Sequence, residues 1–198
     1  MPADNFVWIP EPAKGGLLVQ KADKPQGESK DKWFSKNGAW ECKSVAFGVE
    51  QAQTAGSATS GSAAGKAKFQ PFKIEKDVDT ASCPLFTACT AGAHYPTVIL
   101  AVRKSGGTNF VYLEYIFRQV FVTEITWDGG GGEENPKETV TFAYGALGMQ
   151  YIQQKADGTA GTLQQGLWSQ IANKVSLEIP TATGSAPQFI STTDAQQV

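Results

Sequence analysis

Polar and apolar residues alternate in short runs along most of this chain, and period-two alternation is the pattern of a strand with one buried face. Five stretches read as strands by this alternation or by their β-branched and aromatic content: residues 40–49, 67–76, 97–104, 110–127 and 138–144. The fourth is long enough for two strands with a bend. Further candidates are 6–9, 17–19, 149–154 and 166–171. Turn signals separate them at Ser105-Gly106-Gly107, at 128–132 and at Asp157-Gly158. Many short strands and regular turns predict an all-β fold, a small barrel or two-sheet sandwich.

The pattern allows one short helix. Ser82 is placed to act as its N-cap, with Pro84 in the first turn, where the missing N–H is not needed. Leu85, Phe86 and Cys89 would form one apolar stripe, and Gly92 is a good C′ residue.

The strand over 40–49 is the most informative. One register reads Cys42, Ser44, Ala46, Gly48, and the other reads Lys43, Val45, Phe47, Val49. Side chains alternate across a strand, so one face is small and the other mostly bulky. The bulky face belongs on the core. The small face borders something else: solvent, a cavity or a partner, as in the wall of a wide channel.

Residues 54–65 contain only Gly, Ser, Ala, Thr and no large side chain, so they predict a loop that buries little apolar area. Residues 180–198 are similarly polar, with Phe189-Ile190 a candidate docking point.

Composition removes several functions. Seventeen Lys and Arg against 19 Asp and Glu give a net charge of -2, which argues against a nucleic-acid binder that neutralises many phosphates. A hydrophobic content of 41% supports a real core for one domain of 198 residues. The start has no basic region followed by an apolar run, so no signal peptide is expected. The longest apolar stretches are strand-length, so no membrane insertion is expected. Cys42, Cys83 and Cys89 read as buried reduced thiols, and the spacing of the last two matches no zinc motif.

Candidate chemistry is thin. The stretch 61–67 resembles a phosphate loop but fails: three residues separate Gly61 from Gly65, and Ala67 follows Lys66 where Ser or Thr should stand. Gly129 to Gly132 reads as a hairpin loop. His94 is the only histidine, with no nucleophile motif beside it. Glu133, Glu134 and Glu138 flank a Gly-rich turn; paired carboxylates can cleave glycosides, whereas a solvated loop is the plainer reading. Five tryptophans (Trp8, Trp33, Trp40, Trp127, Trp168) could stack on sugars, but they are scattered and suit core packing. No cofactor and no metal are expected.

An ordered set of blocks carries a resemblance. Gly27-Glu28-Ser29-Lys30-Asp31-Lys32 precedes the strand ending Phe47-Gly48-Val49-Glu50-Gln51. Ala64-Gly65-Lys66 closes the loop, and Phe72-Lys73-Ile74-Glu75-Lys76-Asp77-Val78-Asp79 follows. Ala81-Ser82 and Leu85-Phe86 open the helix, and Ala88-Cys89-Thr90-Ala91-Gly92 ends it before His94. Then come Val102-Arg103-Lys104-Ser105-Gly106-Gly107, Tyr112-Leu113, the Gly-Gly and acidic turn at 128–134, and Glu138-Thr139-Val140-Thr141-Phe142. Residues 151–158 and 166–170 complete the series. In this order the blocks resemble the Hcp family, the haemolysin-coregulated proteins that form the tube of type VI secretion systems.

The resemblance divides the chain into an N-terminal extension (1–16), an Hcp-like tube domain (17–174) and a polar C-terminal tail (175–198). Cys83 departs from the family pattern by standing between Ala81-Ser82 and Pro84. The resemblance implies a β-barrel with one helix that closes into a hexameric ring. It implies rings stacked into a tube, with sheath, baseplate, spike and effector proteins as partners and effectors carried in the lumen. It implies assembly in the cytoplasm and export to the extracellular space or a target cell. Under this reading Ser44, Ala46 and Gly48 face the lumen. Thr54, Gly56, Ser57, Gly61 and Gly65 belong to a loop that reaches the next ring. Two alternatives stay open: the tail tube of a phage or phage-like contractile particle, and a β-sandwich protein that binds carbohydrate or cleaves glycosides.

Overall fold

The computed structural model describes residues 3–17, 24–51, 66–104, 110–129, 135–178, 188–191 and 195. Eight strands and one helix follow in chain order: β1 Ala3–Trp8, β2 Trp40–Cys42, β3 Ser44–Glu50, β4 Lys68–Asp77, α1 Ser82–Ala91, β5 His94–Lys104, β6 Phe110–Asp128, β7 Lys137–Gln154 and β8 Ala160–Ser169. A 3₁₀ turn, Phe34–Asn37, precedes β2. All strand pairs are antiparallel, in the order β2-β1-β5-β6-β7-β4-β3, with β8 also on β7.

The stretch expected as one strand over 40–49 divides at Lys43. β2 pairs with β1, and β3 pairs with β4 at the other end of the strand order. The Lys43 N–H donates to the Glu75 carbonyl at 2.8 Å. The chain therefore crosses between the two ends of the sheet at one residue, and this crossing curls the sheet into a half-barrel.

β6 is one continuous strand, with its bend at Gln119 (φ 49°) and a bulge between Val122 and Glu124. The two candidates at 138–144 and 149–154 are likewise one strand, β7. The first half of β7 pairs with β4 and the second half with β8, so the sheet forks along β7.

The run from Thr97 to Val102 shows no alternation because β5 is buried on both faces. Val98, Leu100 and Val102 join the inner core with Trp40, Phe72, Phe117 and Phe142. Ile99 and Ala101 join a second cluster with Phe6, Trp8, Phe34, Ile116 and Leu177. Residues 3–16, expected as an extension, supply Phe6 and Trp8 to one cluster and Val7, Ile9 and Ala13 to the other. β1 is an inner strand of the sheet, between β2 and β5.

α1 departs from its expected details. Ala81 occupies the N-cap, and Ser82 is buried at the first helical position. The Asp79 carboxylate accepts the Ala81 N–H instead, at 2.9 Å. Leu85 and Ala88 are buried against the sheet, while Phe86 is 49% exposed, so the expected stripe turns by one residue. Gly92 ends the helix as expected, at φ 64°, with the Ala93 N–H returning to the Ala88 carbonyl. Of the three thiols only Cys42 is buried. Cys83 is exposed on the outer side of the helix, and Cys89 is half-buried at the margin of the inner core.

Candidate functional site

Two charged clusters brace the half-barrel. Lys76 is buried between Glu138, at 2.8 Å, and Asp79, at 2.5 Å. Glu138 also accepts from the Ser82 hydroxyl and from the Trp127 indole N–H. This cluster ties β4, β6, β7 and the start of α1 together. Glu138 is thus committed to a structural ion pair, and the carboxylate pair considered for glycoside cleavage is not assembled there; Glu133 and Glu134 lie outside the described residues.

The second cluster joins the two blocks around Asp31 and Arg103. Arg103 Nη1 donates to Asp31 Oδ2 at 2.5 Å, and its guanidinium lies 4.8 Å from the Phe6 ring centre. Asp31 Oδ1 accepts the Trp33 and Phe34 amides, which sets the 3₁₀ turn. Partial burial acts to raise the Asp31 carboxyl, but these amide and guanidinium hydrogen bonds outweigh it and hold the carboxyl below its ordinary value.

The tryptophans form no sugar-stacking platform. Trp40 sits in the inner core, Trp8 packs edge-on against Trp33 in the second cluster, Trp127 lies beside Phe86, and Trp168 lines a separate groove. His94 starts β5, half-buried beside Phe121. Among the described residues no group of three or more His, Cys, Asp or Glu is gathered to hold a metal ion.

The surface of β3 carries the small face. Ser44 and Ala46 are exposed and Gly48 is half-buried, while Val45 and Phe47 pack onto the inner core. Phe47 meets Phe72, Tyr115 and Phe117 edge-on. Val49 breaks the expected alternation and is 60% exposed, because the pairing with β4 shifts between Ala46 and Gly48. Among the described residues β3 pairs only with β4, while β8 pairs with β7 and, at Ser169, also with Lys174, so β3 and residues 160–168 of β8 leave an outer edge unpaired. Between these strands a groove of about 500 Å³ is lined by Val49, Phe69, Leu147, Met149, Leu167 and Trp168. Thr54, Gly56, Ser57, Gly61 and Gly65 lie outside the described residues.

Sequence reasoning did not find one further cluster. Glu114 on β6 is buried, and its Oε2 accepts the Ile190 N–H at 2.8 Å. Burial pushes this carboxyl up to about 7, against a smaller lowering by the Ile190 hydrogen bond. The signal available in the sequence was the one charged residue, between Leu113 and Tyr115, in the otherwise apolar and aromatic run 110–117.

The curled antiparallel sheet, the one short helix among the described residues and the structural charge clusters define a small half-barrel scaffold. The family description "Type VI secretion system effector, Hcp" matches residues 19–151, and the chain belongs to the Hcp family of type VI secretion proteins. This is a structural family of the secretion apparatus rather than an enzyme family.

The chain is similar to the protein hcp1 of Pseudomonas aeruginosa, 37% identical over 94 residues. That match covers 47% of this chain and 58% of the relative, so it spans little over half the relative's length. The fold is similar to a solved structure of a type six secretion system protein, with TM-score 0.74 and 29% identity over 88% of this chain and 100% of the other. It is also similar to Hcp1 from Salmonella typhimurium, with TM-score 0.67 and 26% identity over 89% of this chain and 100% of the other.

Proposed function

We propose that this chain is the tube subunit of a type VI secretion apparatus, closing with five copies of itself into a ring whose stacked copies carry effectors through the lumen. Its family membership supports the tube role. The observation that carries ring closure is the outer edges of β3 and of residues 160–168 of β8, unpaired among the described residues. An open edge presents N–H and C=O groups without partners, and joining an edge of one copy to a different edge of the next removes both. Such a contact is heterologous, and it gives a closed ring when the rotation between copies divides a full turn. A stable contact of this kind buries about 1,200–2,000 Å².

In this reading Ser44, Ala46 and Gly48 line the lumen. They are small, and the exposure of Ser44 and Ala46 supports the assignment. Small side chains leave width for a folded or partly folded cargo. The loop containing Thr54, Gly56, Ser57, Gly61 and Gly65 reaches the neighbouring ring; with no large side chain to bury, it makes stacking weaker than ring closure. Sheath, baseplate, spike and effector proteins are its partners, and the tube is exported from the cytoplasm to the extracellular space or a target cell.

Negative-stain imaging and mass measurement of the purified protein test the reading together. Annular particles with a mass of six subunits are expected. Single molecules at high protein concentration, with no annular particles, would overturn it.

A further inference from the structure

β8 and the second half of β7 form a two-stranded flap with two different faces. Leu147, Met149, Gly166 and Trp168 face the groove beneath β3. On the opposite face, Gly148, Gln150 and Ile152 of β7 are covered by residues 175–178 and 188–191, while Leu163 and Gln165 of β8 stay exposed at its outer side and Leu167 borders both this face and the groove.

The cover is specific at Ile190. Its N–H donates to Glu114 Oε2 at 2.8 Å, and its carbonyl accepts from Gln150 Nε2 at 2.7 Å. Gln150 is itself positioned by Gln165, whose Nε2 donates to Gln150 Oε1 at 2.7 Å. Both main-chain groups of one residue are thus read by side chains, on the face of the sheet rather than at its edge. Phe189 lies over Gly148, where an added Cβ would come within 2.9 Å of the Phe189 ring. Leu177 and Leu167 border the same seat, at 3.0 and 3.1 Å from that position, so an added methyl would crowd all three side chains.

We propose that this face is an acceptor site for an extended peptide bearing two adjacent large apolar residues, occupied detachably by the chain's own segment 188–191. Three features support detachment. Phe189 and Ile190 are only partly buried. Glu114 Oε1 is buried without a partner among the described residues, so the site is not fully satisfied. Ordering a four-residue segment costs conformational entropy of the same order as two half-buried side chains return. When the segment leaves, Gln150 and Ile152 are bared, and the seat over Gly148 between Leu177 and Leu167 opens for a competing segment of the same chemistry. The proposal does not depend on ring formation and holds for a single subunit.

Hydrogen exchange on the full-length wild-type chain gives the first measurement. The Ile190 amide is expected to exchange more slowly than in a free peptide, yet well before the amides of β6 and β7. Exchange at the free-peptide rate would mean no docking, and exchange only together with the sheet would mean an integral element; either overturns the proposal. The second measurement uses the full-length chain carrying Phe189→Ala and Ile190→Ala, which empties the site. A fluorescent synthetic peptide of residues 186–195 should bind it one-to-one and about tenfold more tightly than it binds the wild-type chain. A peptide with the same two alanines should not bind. Absence of peptide binding to a folded, emptied variant overturns the proposal. If that variant does not fold, Gly148→Ala in the full-length chain replaces it, with faster Ile190 exchange expected and unchanged exchange overturning the assignment.

Discussion

Lys76 Nζ lies 2.8 Å from Glu138 Oε1, and neither side chain is more than 1% exposed. The pair joins β4 to β7, and Asp79 and Ser82 extend it to the start of α1. Removing one partner of a buried pair leaves the other charge without compensation. Lys76→Met should therefore destabilise the subunit by about 3–5 kcal/mol, seen as a lower urea midpoint at fixed protein concentration. Adding Glu138→Gln should recover part of this loss, because it removes the stranded charge and keeps an acceptor for Ser82. A double variant no more stable than Lys76→Met would show that the pair matters only through shape.

Arg103 bridges Asp31 and Asp4 while lying over Phe6 and Phe34. A lysine cannot reproduce the planar fork or the ring contact. Arg103→Lys should cost about 1–3 kcal/mol despite keeping the charge. Asp31 adds a pH signature. Its folded carboxyl sits below the ordinary 3.8, so its contribution is present above that value and fades as pH falls through the lower, folded one. Asp31→Asn should remove this part of the acid sensitivity, read from urea midpoints between neutral pH and pH 3.

Glu114 works in the opposite direction. Its folded carboxyl is raised to about 7 from an ordinary 4.5, so the native state holds a proton that the unfolded chain has released. The stability tied to this proton is fully present below pH 4.5 and is lost as pH rises through about 7. The span corresponds to about 3 kcal/mol at most. Glu114→Gln should flatten the stability profile between pH 5 and 8. A wild-type profile that instead rises across this window would contradict the burial of a proton-bearing Glu114.

Much of the fold was legible in the sequence, and the misses share a cause. The apolar run of β5, the glycine end of α1 at Gly92 and the inward face of Val45 and Phe47 are local consequences of burial and backbone geometry. The break at Lys43 shows as a change of phase, since Trp40 and Cys42 are buried on β2 whereas Val45 and Phe47 turn inward on β3; reading Cys42 into the small face of one long strand hid it. β7 looked like two strands because Gly145 and Gly148 interrupt its apolar pattern. Phe86 was misplaced because its stripe was counted from helix periodicity, whereas the Ser82–Glu138 contact sets the rotation of α1. Glu114 was unreadable: its partner Ile190 comes from a segment 76 positions away.

The proposed stacking loop makes a separable prediction. Removing residues 54–65 takes away no large side chain, so the subunit should fold and rings should form. Stacks should shorten at matched protein concentration. Equal stack lengths with and without the loop would refute its role.

The lumen assignment is tested at Ala46. This side chain is exposed on β3, between two residues that pack inward, Val45 and Phe47. Ala46→Trp therefore adds a large ring to an open face and displaces no core atom. The subunit should keep its melting temperature within a few degrees, a change of less than about 1 kcal/mol. Rings should still form, with the central hole narrowed in averaged images and cargo uptake reduced. Six large rings converging on one channel would reduce its width at that level only, so the effect should be steric and depend on residue size: Ala46→Ser neutral, Ala46→Leu intermediate, Ala46→Trp strongest. If all three variants form rings with an unchanged hole, the small face of β3 points away from the lumen and the exposed residues of β3 serve another surface.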